Sequence, residues 1–497
     1  MFSVKKDDPF IVFKKLQDIA RKEVGDENVI DLSRGDPGFG FTPSIRGREF
    51  ASYVLLLDTR LNLDSDNRFA TRKDAKDSDS ILKNIRDITL EIYKNEIGEK
   101  FLSDLDEFIE FSILAAREEG KNWGKEDVLW ELFSYAAMSG GSYLNPRGQE
   151  LTRIITAAWH RSELETNISS RDIILTNGAS HAIGTIFKAL GEEGNGYLKR
   201  GDSVAIASPV YSPYNRIIEE RGLIPIPYTM DPLTGELSNL QVDKKPKAII
   251  LIDPNNPTGF SLSQESLNAL AKFAKDSNSL IITDEVYYSF FPHKETMIKV
   301  APERTICINA RSKTERSTGL RSGEIIITKA GRENIAQMIG LSDAASLEQL
   351  LMFSKAPGRT GGQFQHTTFV PGPSQLLGIS HIALGREERE EYMKNLQNNR
   401  DTFCKSLNLP HKNNTYYIIF DLDSIDGCTT KDLPIEDKLI LLAKAGVVFI
   451  PAYRFFAEED RDKPGVLTSV RASIVNTTPD KLKEAGERVK KVLCMSC

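Results

Sequence analysis

The chain reads as an α/β protein with a large domain on a mostly parallel sheet, a smaller α+β domain and a helical insertion. Three observations predict this. Short apolar runs alternate with helical patterns through the middle of the chain, a charged and helical stretch precedes them, and mixed strand and helix patterns follow. At 497 residues the chain exceeds one ordinary domain of roughly 100–200. The expected segments are an N-terminal arm with part of the small domain (1–54), the insertion (55–138), the large domain (139–355) and the C-terminal small domain (356–497).

In the insertion, Ile81, Ile85, Ile88 and Ile92 recur at helical spacing, and Leu105, Phe108, Ile109 and Leu114 resemble a second stripe. The strand candidates are Ile173–Leu175, Val204–Ile206, Ala248–Ile252, Leu280–Ile282, Ile306–Ile308 and Ile325–Ile327. Parallel strands covered on both faces read as such unbroken apolar runs. Ligands of these sheets sit beyond the carboxyl ends of the strands, so chemistry is sought just after each run. Towards the C-terminus, Tyr416–Leu422 and Val447–Ile450 read as strands and Lys481–Leu493 as a closing helix. Pro357–Gln363 reads as a glycine-rich loop without the trailing Lys-Ser/Thr of a P-loop.

Composition excludes several classes. Hydrophobic residues at 40% and charged residues at 27% fit a globular chain and exclude wholesale disorder. With 64 Lys+Arg against 70 Asp+Glu the net charge is −6, which offers no footprint for nucleic acid. No apolar stretch is long enough for a membrane span, and the first ten residues lack a signal-peptide core. Five scattered cysteines favour a reducing, cytoplasmic setting. Ser496 spoils a prenylation box at Cys494–Cys497. The six histidines show no ligand spacing and the Cys494/Cys497 pair lacks partners, so no metal is expected.

The strand ends carry the chemistry. The Leu280 run delivers Asp284, with Tyr287 three residues on, and the Ile306 run delivers Ser312 and Lys313. A desolvated lysine loses basicity and becomes a candidate nucleophilic amine. The Ala248 run leads into a rigid turn bearing Asn256, and the Val204 run into Tyr211, whose ring could cover a flat ligand. After the Ile173 run, Gly178, Ala179 and Ser180 open a helix, where free N–H groups and the dipole favour a phosphate. Arg321, eight residues after Lys313, could add a phosphate fork. Amine, carboxylate, phosphate nest, arginine and aromatic plate together describe a site for pyridoxal 5'-phosphate, with Asp284 at the ring nitrogen and Asn256 and Tyr287 at the phenolic oxygen. His181 reads as a satisfied helix-start histidine.

In this order the motifs resemble the class I/II aminotransferases, fold-type-I pyridoxal-phosphate enzymes. The resemblance covers about residues 27–54 and 140–495 and rests on Tyr143-x4-Gly148-x2-Leu151-x-Arg153, Asn256-Pro-Thr-Gly259, Asp284-Glu-Val-Tyr287, Lys313 with Arg321, and Val470-Arg471-x-Ser473. It implies a homodimer in which Tyr143 reaches the neighbouring subunit's phosphate, and Arg471 as the substrate carboxylate's partner. Ala310, Arg311, Arg316 and Ser322 depart from the family's usual residues, and the insertion and the stretch 330–365 are absent from compact members. The long insertions and Leu32-Ser-Arg34-Gly35-Asp-Pro37 look like the aspartate 4-decarboxylase branch. Arg34, with Gly35 beside it, either contacts a dicarboxylic amino acid or pairs locally with Asp31 or Asp36. The expected reaction is transamination between an amino acid and a 2-oxo acid, with aspartate 4-decarboxylation, alone or combined with it, as the alternative. A non-catalytic sensor is the remote one, disfavoured because Lys313 and Asp284 are both present.

Overall fold

Each apolar run singled out above becomes a strand in the computed structural model, which describes the chain apart from residues 1, 38–43, 64–77, 94–95, 134–137, 139–143, 232–235, 241–243, 292–293, 354–369, 411–414 and 495–497. The chain divides into two compact units, one of residues 1–41, 198–291 and 391–497 and the other of 42–197 and 292–390.

In the first unit, strands Leu280–Asp284, Ala248–Ile252, Ser203–Ser208 and Ile224–Met230 lie side by side and parallel, and Leu237–Ser238 pairs antiparallel with the last of them. Helix Gln264–Asp276 makes one crossover, capped by the Ser263 side chain, and helix Ser212–Glu220 makes another. The register sets Ile252 opposite Asp284, so two strand ends stand level. A smaller antiparallel sheet orders Tyr417–Asp421, Ser469–Ser473 and Ile450–Pro451. The closing helix, Pro479–Leu493, buries Leu482, Ala485, Val489 and Leu493 at the three-to-four spacing of one face.

In the second unit, Ser322–Ile326 runs antiparallel between Ile173–Asn177 and Thr305–Ala310. Thr176 and Ala310 both pair with Gly323, so the turns after their strands emerge at the same edge. Helix Ile45–Leu63 begins in the N-terminal arm and runs into the insertion, which goes on to supply helices Ser78–Ile92, Glu96–Glu118 and Lys125–Phe133. The insertion packs with helices Glu150–Leu164 and Gly372–Leu384 of the same unit, so it shares their core. Phe101, Leu105, Phe108 and Ile109 are fully buried, each contributing roughly 1.5–3 kcal/mol. Leu114 is a correction to the stripe: it is 54% exposed, and the buried face continues through Ser112, Ala115 and Ala116. Among the described residues no helix is long and apolar enough to cross a membrane.

Candidate functional site

The predicted site residues divide between the units. In the first, Asp284 ends its strand almost fully buried and accepts a hydrogen bond from the Tyr214 hydroxyl at 2.9 Å and one from the Val286 N–H at 3.3 Å. Tyr214 was missed from sequence. It lies three residues after Tyr211 on helix Ser212–Glu220, so the same turn presents both rings. Burial, then the neighbouring Tyr417, raises the Tyr211 phenol above its ordinary pKa.

The turn after Ala248–Ile252 is internally tied: the Thr258 N–H and hydroxyl both donate to Asn255 Oδ1, and Asp253 accepts from the Ser261 hydroxyl and the Leu262 N–H. This fixes Asn256, whose Oδ1 accepts from Arg471 Nη1 at 3.0 Å, so what Asn256 offers a ligand is its amide NH2. Arg471 Nη2 donates to the Ser33 carbonyl at 3.0 Å, and its guanidinium carbon lies 4.3 Å from the Tyr417 ring centroid and 5.5 Å from that of Phe455. The residue is 2% exposed and its Nε has no hydrogen-bond partner. Neutral acceptors and aromatic faces satisfy it in part, and among the described residues no carboxylate balances its charge. A buried cation in that condition is costly until an anion arrives.

The Tyr287 hydroxyl donates to that of Tyr417 at 3.5 Å, and burial, then Tyr417, pushes its pKa well above the ordinary value. Tyr416 donates to the Gly35 carbonyl. Gly35 is required sterically, because a Cβ there would lie 1.9 Å from the Tyr417 hydroxyl. Arg34 pairs with Asp31 at 3.1 Å, the local partner anticipated as one of two readings. The roles of Tyr417 and Phe455 carried no signal in the sequence, since only sheet pairing and the packing of the 450s bring them to Arg471.

In the second unit, Gly178 turns with φ +79° into helix Ala179–Leu190. A Cβ on Gly178 would stand 2.5 Å from Arg321 Nη2, so glycine alone lets the guanidinium lie over this turn. Arg321 is anchored by bonds from Nη1 to the Thr318 carbonyl (2.9 Å) and from Nη2 to that of Asn177 (3.4 Å). Thus Arg321 lies against the Gly178 turn that opens the helix beginning with Ala179 and Ser180. His181 is internally satisfied: its Nδ1 accepts from the Asn177 N–H at 3.2 Å.

Ser312, buried, and Lys313, half-buried, follow strand Thr305–Ala310. Beneath them lies a charge network that the sequence reading missed. Glu324 Oε1 receives Arg311 Nη2 at 2.5 Å and contacts His160 Nε2 at 2.8 Å, and the Arg311 guanidinium stacks 3.7 Å from the Trp159 ring centroid. Burial lowers the His160 pKa against the opposing pull of Glu324. Burial by itself would raise that of Glu324, but Arg311 and His160 prevail and hold it below the ordinary carboxylate value. Tyr143 lies outside the described residues, as do the 357–363 loop and the terminal Cys497. Among the described residues no cluster of His, Cys, Asp and Glu could hold a metal.

These features can be set beside known proteins. The family model described as "Aminotransferase class I and II" matches residues 125–489, well over half of the chain. A bifunctional aspartate aminotransferase and L-aspartate beta-decarboxylase from Pseudomonas sp is 26% identical over 370 residues, covering 65% of this chain and 67% of that protein. The aspartate aminotransferase of Sulfolobus acidocaldarius is 29% identical over 213 residues, 40% of this chain and half of that protein. Among solved structures, an aminotransferase from Mycobacterium tuberculosis covers the whole chain and 99% of its own at a TM-score of 0.64 and 17% identity, a likeness of fold.

Proposed function

The chain belongs to the class I and II aminotransferase family, and on that premise we propose that it transfers an amino group from an aspartate-like dicarboxylic amino acid to a 2-oxo acid, using pyridoxal 5'-phosphate. The observation that carries the reading of a carboxylate-bearing substrate is Arg471, a buried guanidinium balanced by no carboxylate among the described residues, with no hydrogen-bond partner at Nε beside the bonds to Asn256 and Ser33. A substrate carboxylate supplies the missing charge in a geometry that a guanidinium fork recognises.

The residues present fit the cofactor. Gly178 keeps clear the space that a Cβ would fill beneath Arg321, and the first N–H groups of helix Ala179–Leu190 suit a phosphate. When bound, the cofactor supplies an electron sink for the pair released as a proton leaves the substrate carbon. Lys313 would carry the cofactor and move that proton with its amine. Asp284, held by Tyr214, would keep a proton on the ring nitrogen. The Asn256 amide and the Tyr287 hydroxyl would donate to the ring oxygen, Ser312 would flank the phosphate, and Tyr211 would cover the ring. Tyr143 of a second subunit would complete the phosphate site, which makes the enzyme a homodimer; light scattering in solution checks this.

Arg34 enters the dicarboxylate reading only by sharing or leaving Asp31, with Gly35 held against Tyr417 next to it. β-Decarboxylation of aspartate is the second reading, favoured by the similarity to the Pseudomonas bifunctional enzyme. One assay separates the two: the protein is incubated with aspartate and 2-oxoglutarate while oxo acid and CO2 are both followed. Oxaloacetate with little CO2 is expected. Alanine and CO2 in equal amounts favour the second reading, and no turnover across a panel of amino donors would sink both. Lys313→Ala is expected to abolish turnover.

A further inference from the structure

Residues 311–315 form one helical turn, closed by the Glu315 N–H on the Arg311 carbonyl at 3.3 Å. Positions four apart share a face of such a turn, whereas the residue midway between them, Lys313, faces away. Both residues on the shared face are buried charges, and each is neutralised from a different element. Arg311 is held by Glu324 of strand Ser322–Ile326, itself in contact with His160. Glu315 Oε1 accepts from Arg389 Nη1 at 2.9 Å, and Arg389 in turn approaches Glu163 at 3.7 Å. Backbone bonds reinforce the first clamp, from the Arg311 N–H to the Ser322 carbonyl and from the Ser317 hydroxyl to the Arg311 carbonyl.

We propose that Arg311 and Glu315 are paired positioning residues that set the direction in which Lys313 presents its amine. A turn tied at one point can still roll about its axis; tied at both ends of one face, it cannot. Buried ion pairs add little stability over apolar packing of the same volume, so their return here is geometric specificity. The stem of lysine is long and flexible, and a fixed base limits where its amine can reach. Misplacing a reacting group by about 1 Å costs on the order of a hundredfold in rate.

The inference rests on Lys313 being the amine that takes the cofactor. Its test uses the full-length protein freed of cofactor, mixed with pyridoxal 5'-phosphate and trapped with borohydride across a pH series. The amine and aldehyde condense with loss of water, hydride reduces the C=N bond, and mass spectrometry locates the modified lysine. Arg311→Met and Glu315→Gln are each expected to slow trapping at Lys313 about ten- to a hundredfold and to shift its pH midpoint. Glu315→Asp, which keeps the charge, is expected to recover most of the rate. Wild-type rates and midpoints in both variants, with only thermal stability lowered, would reduce the clamps to structural supports and overturn the proposal. Glu315→Gln breaks the clamp whose partner Arg389 is less deeply buried, so it carries the test should Arg311→Met fail to fold. Lys313→Ala separates the premise from the inference. Trapping undiminished in that variant removes the Lys313 reading and the clamp proposal with it, whereas trapping abolished there but normal in the clamp variants overturns the clamps alone.

Discussion

Arg311 and Arg471 are both buried guanidiniums beside aromatic rings, each with one nitrogen lacking a hydrogen-bond partner, yet their charges are met in opposite ways. Arg311 stacks on Trp159 and is neutralised by Glu324, which also contacts His160. Arg471 stacks on Tyr417 and, among the described residues, has only the Asn256 amide and the Ser33 carbonyl as acceptors. The first is a charge cancelled within the chain, which serves architecture. The second is a charge that no carboxylate cancels among the described residues, the condition that the proposed substrate anion would answer. Burial alone does not distinguish them; the counter-charge does.

The largest effect that could break this contrast is on stability. Glu324→Gln leaves the Arg311 cation buried without its carboxylate and is expected to cost about 3–5 kcal/mol in urea unfolding. A loss below about 1 kcal/mol would mean that the network is not a charge-compensated support. Arg471→Met should show the reverse profile. It orphans neutral acceptors rather than a charge, so stability falls less than in Glu324→Gln, while affinity for a dicarboxylate such as succinate drops by about 1.5–3 kcal/mol in calorimetry. Unchanged succinate affinity would remove Arg471 as the anion's partner.

Gly35→Ala sharpens the comparison on the Arg471 side. The new methyl must displace the Tyr417 hydroxyl and with it the ring against which the Arg471 guanidinium lies, with an expected loss of about 1–3 kcal/mol in thermal unfolding and a weaker succinate affinity. Tyr417→Phe removes the hydroxyl and should restore most of the stability in the double variant.

The smallest effect concerns a buried group that is neutral rather than charged. His381 is fully buried on helix Gly372–Leu384, with neither ring nitrogen hydrogen-bonded, and burial lowers its pKa. The unfolded chain therefore takes up this proton first as pH falls below about 6.5, so the stability contribution is present above that value and fades towards the lower folded pKa. The slope reaches at most about 1.4 kcal/mol per pH unit for one such group. His160, also lowered, acts in the same direction. His381→Phe is expected to flatten the decline of the urea midpoint between neutral and mildly acidic pH, and an unchanged decline would assign it to His160 and the carboxylates.

Much of the fold was legible because buried parallel strands are unbroken apolar runs, and Ala248–Ile252 is the plainest case, buried at every position. Ile224–Met230 was missed. Pro225 and Pro227 argue against a strand, and only the pairing with Ser203–Ser208 makes it one. Strand Ser469–Ser473, whose middle residue is Arg471, was read as a motif and not as a strand. Among the candidate residues, Asp284, Asn256, Gly178 and Lys313 stood out because each lies at or just after a strand end, where the backbone must turn and local residue types show. Tyr214, Tyr417 and the Arg311–Glu324 pair did not, since their partners are set by helix phase and sheet register.

Residue order settles where the strands end and which reactive groups stand there, because hydrophobic periodicity and turn chemistry act over a few neighbouring positions. Which charge is cancelled and which is left waiting is decided only when distant segments pack. Whether Glu324 meets Arg311, or any carboxylate meets Arg471, depends on register and long-range contacts that local pattern does not encode.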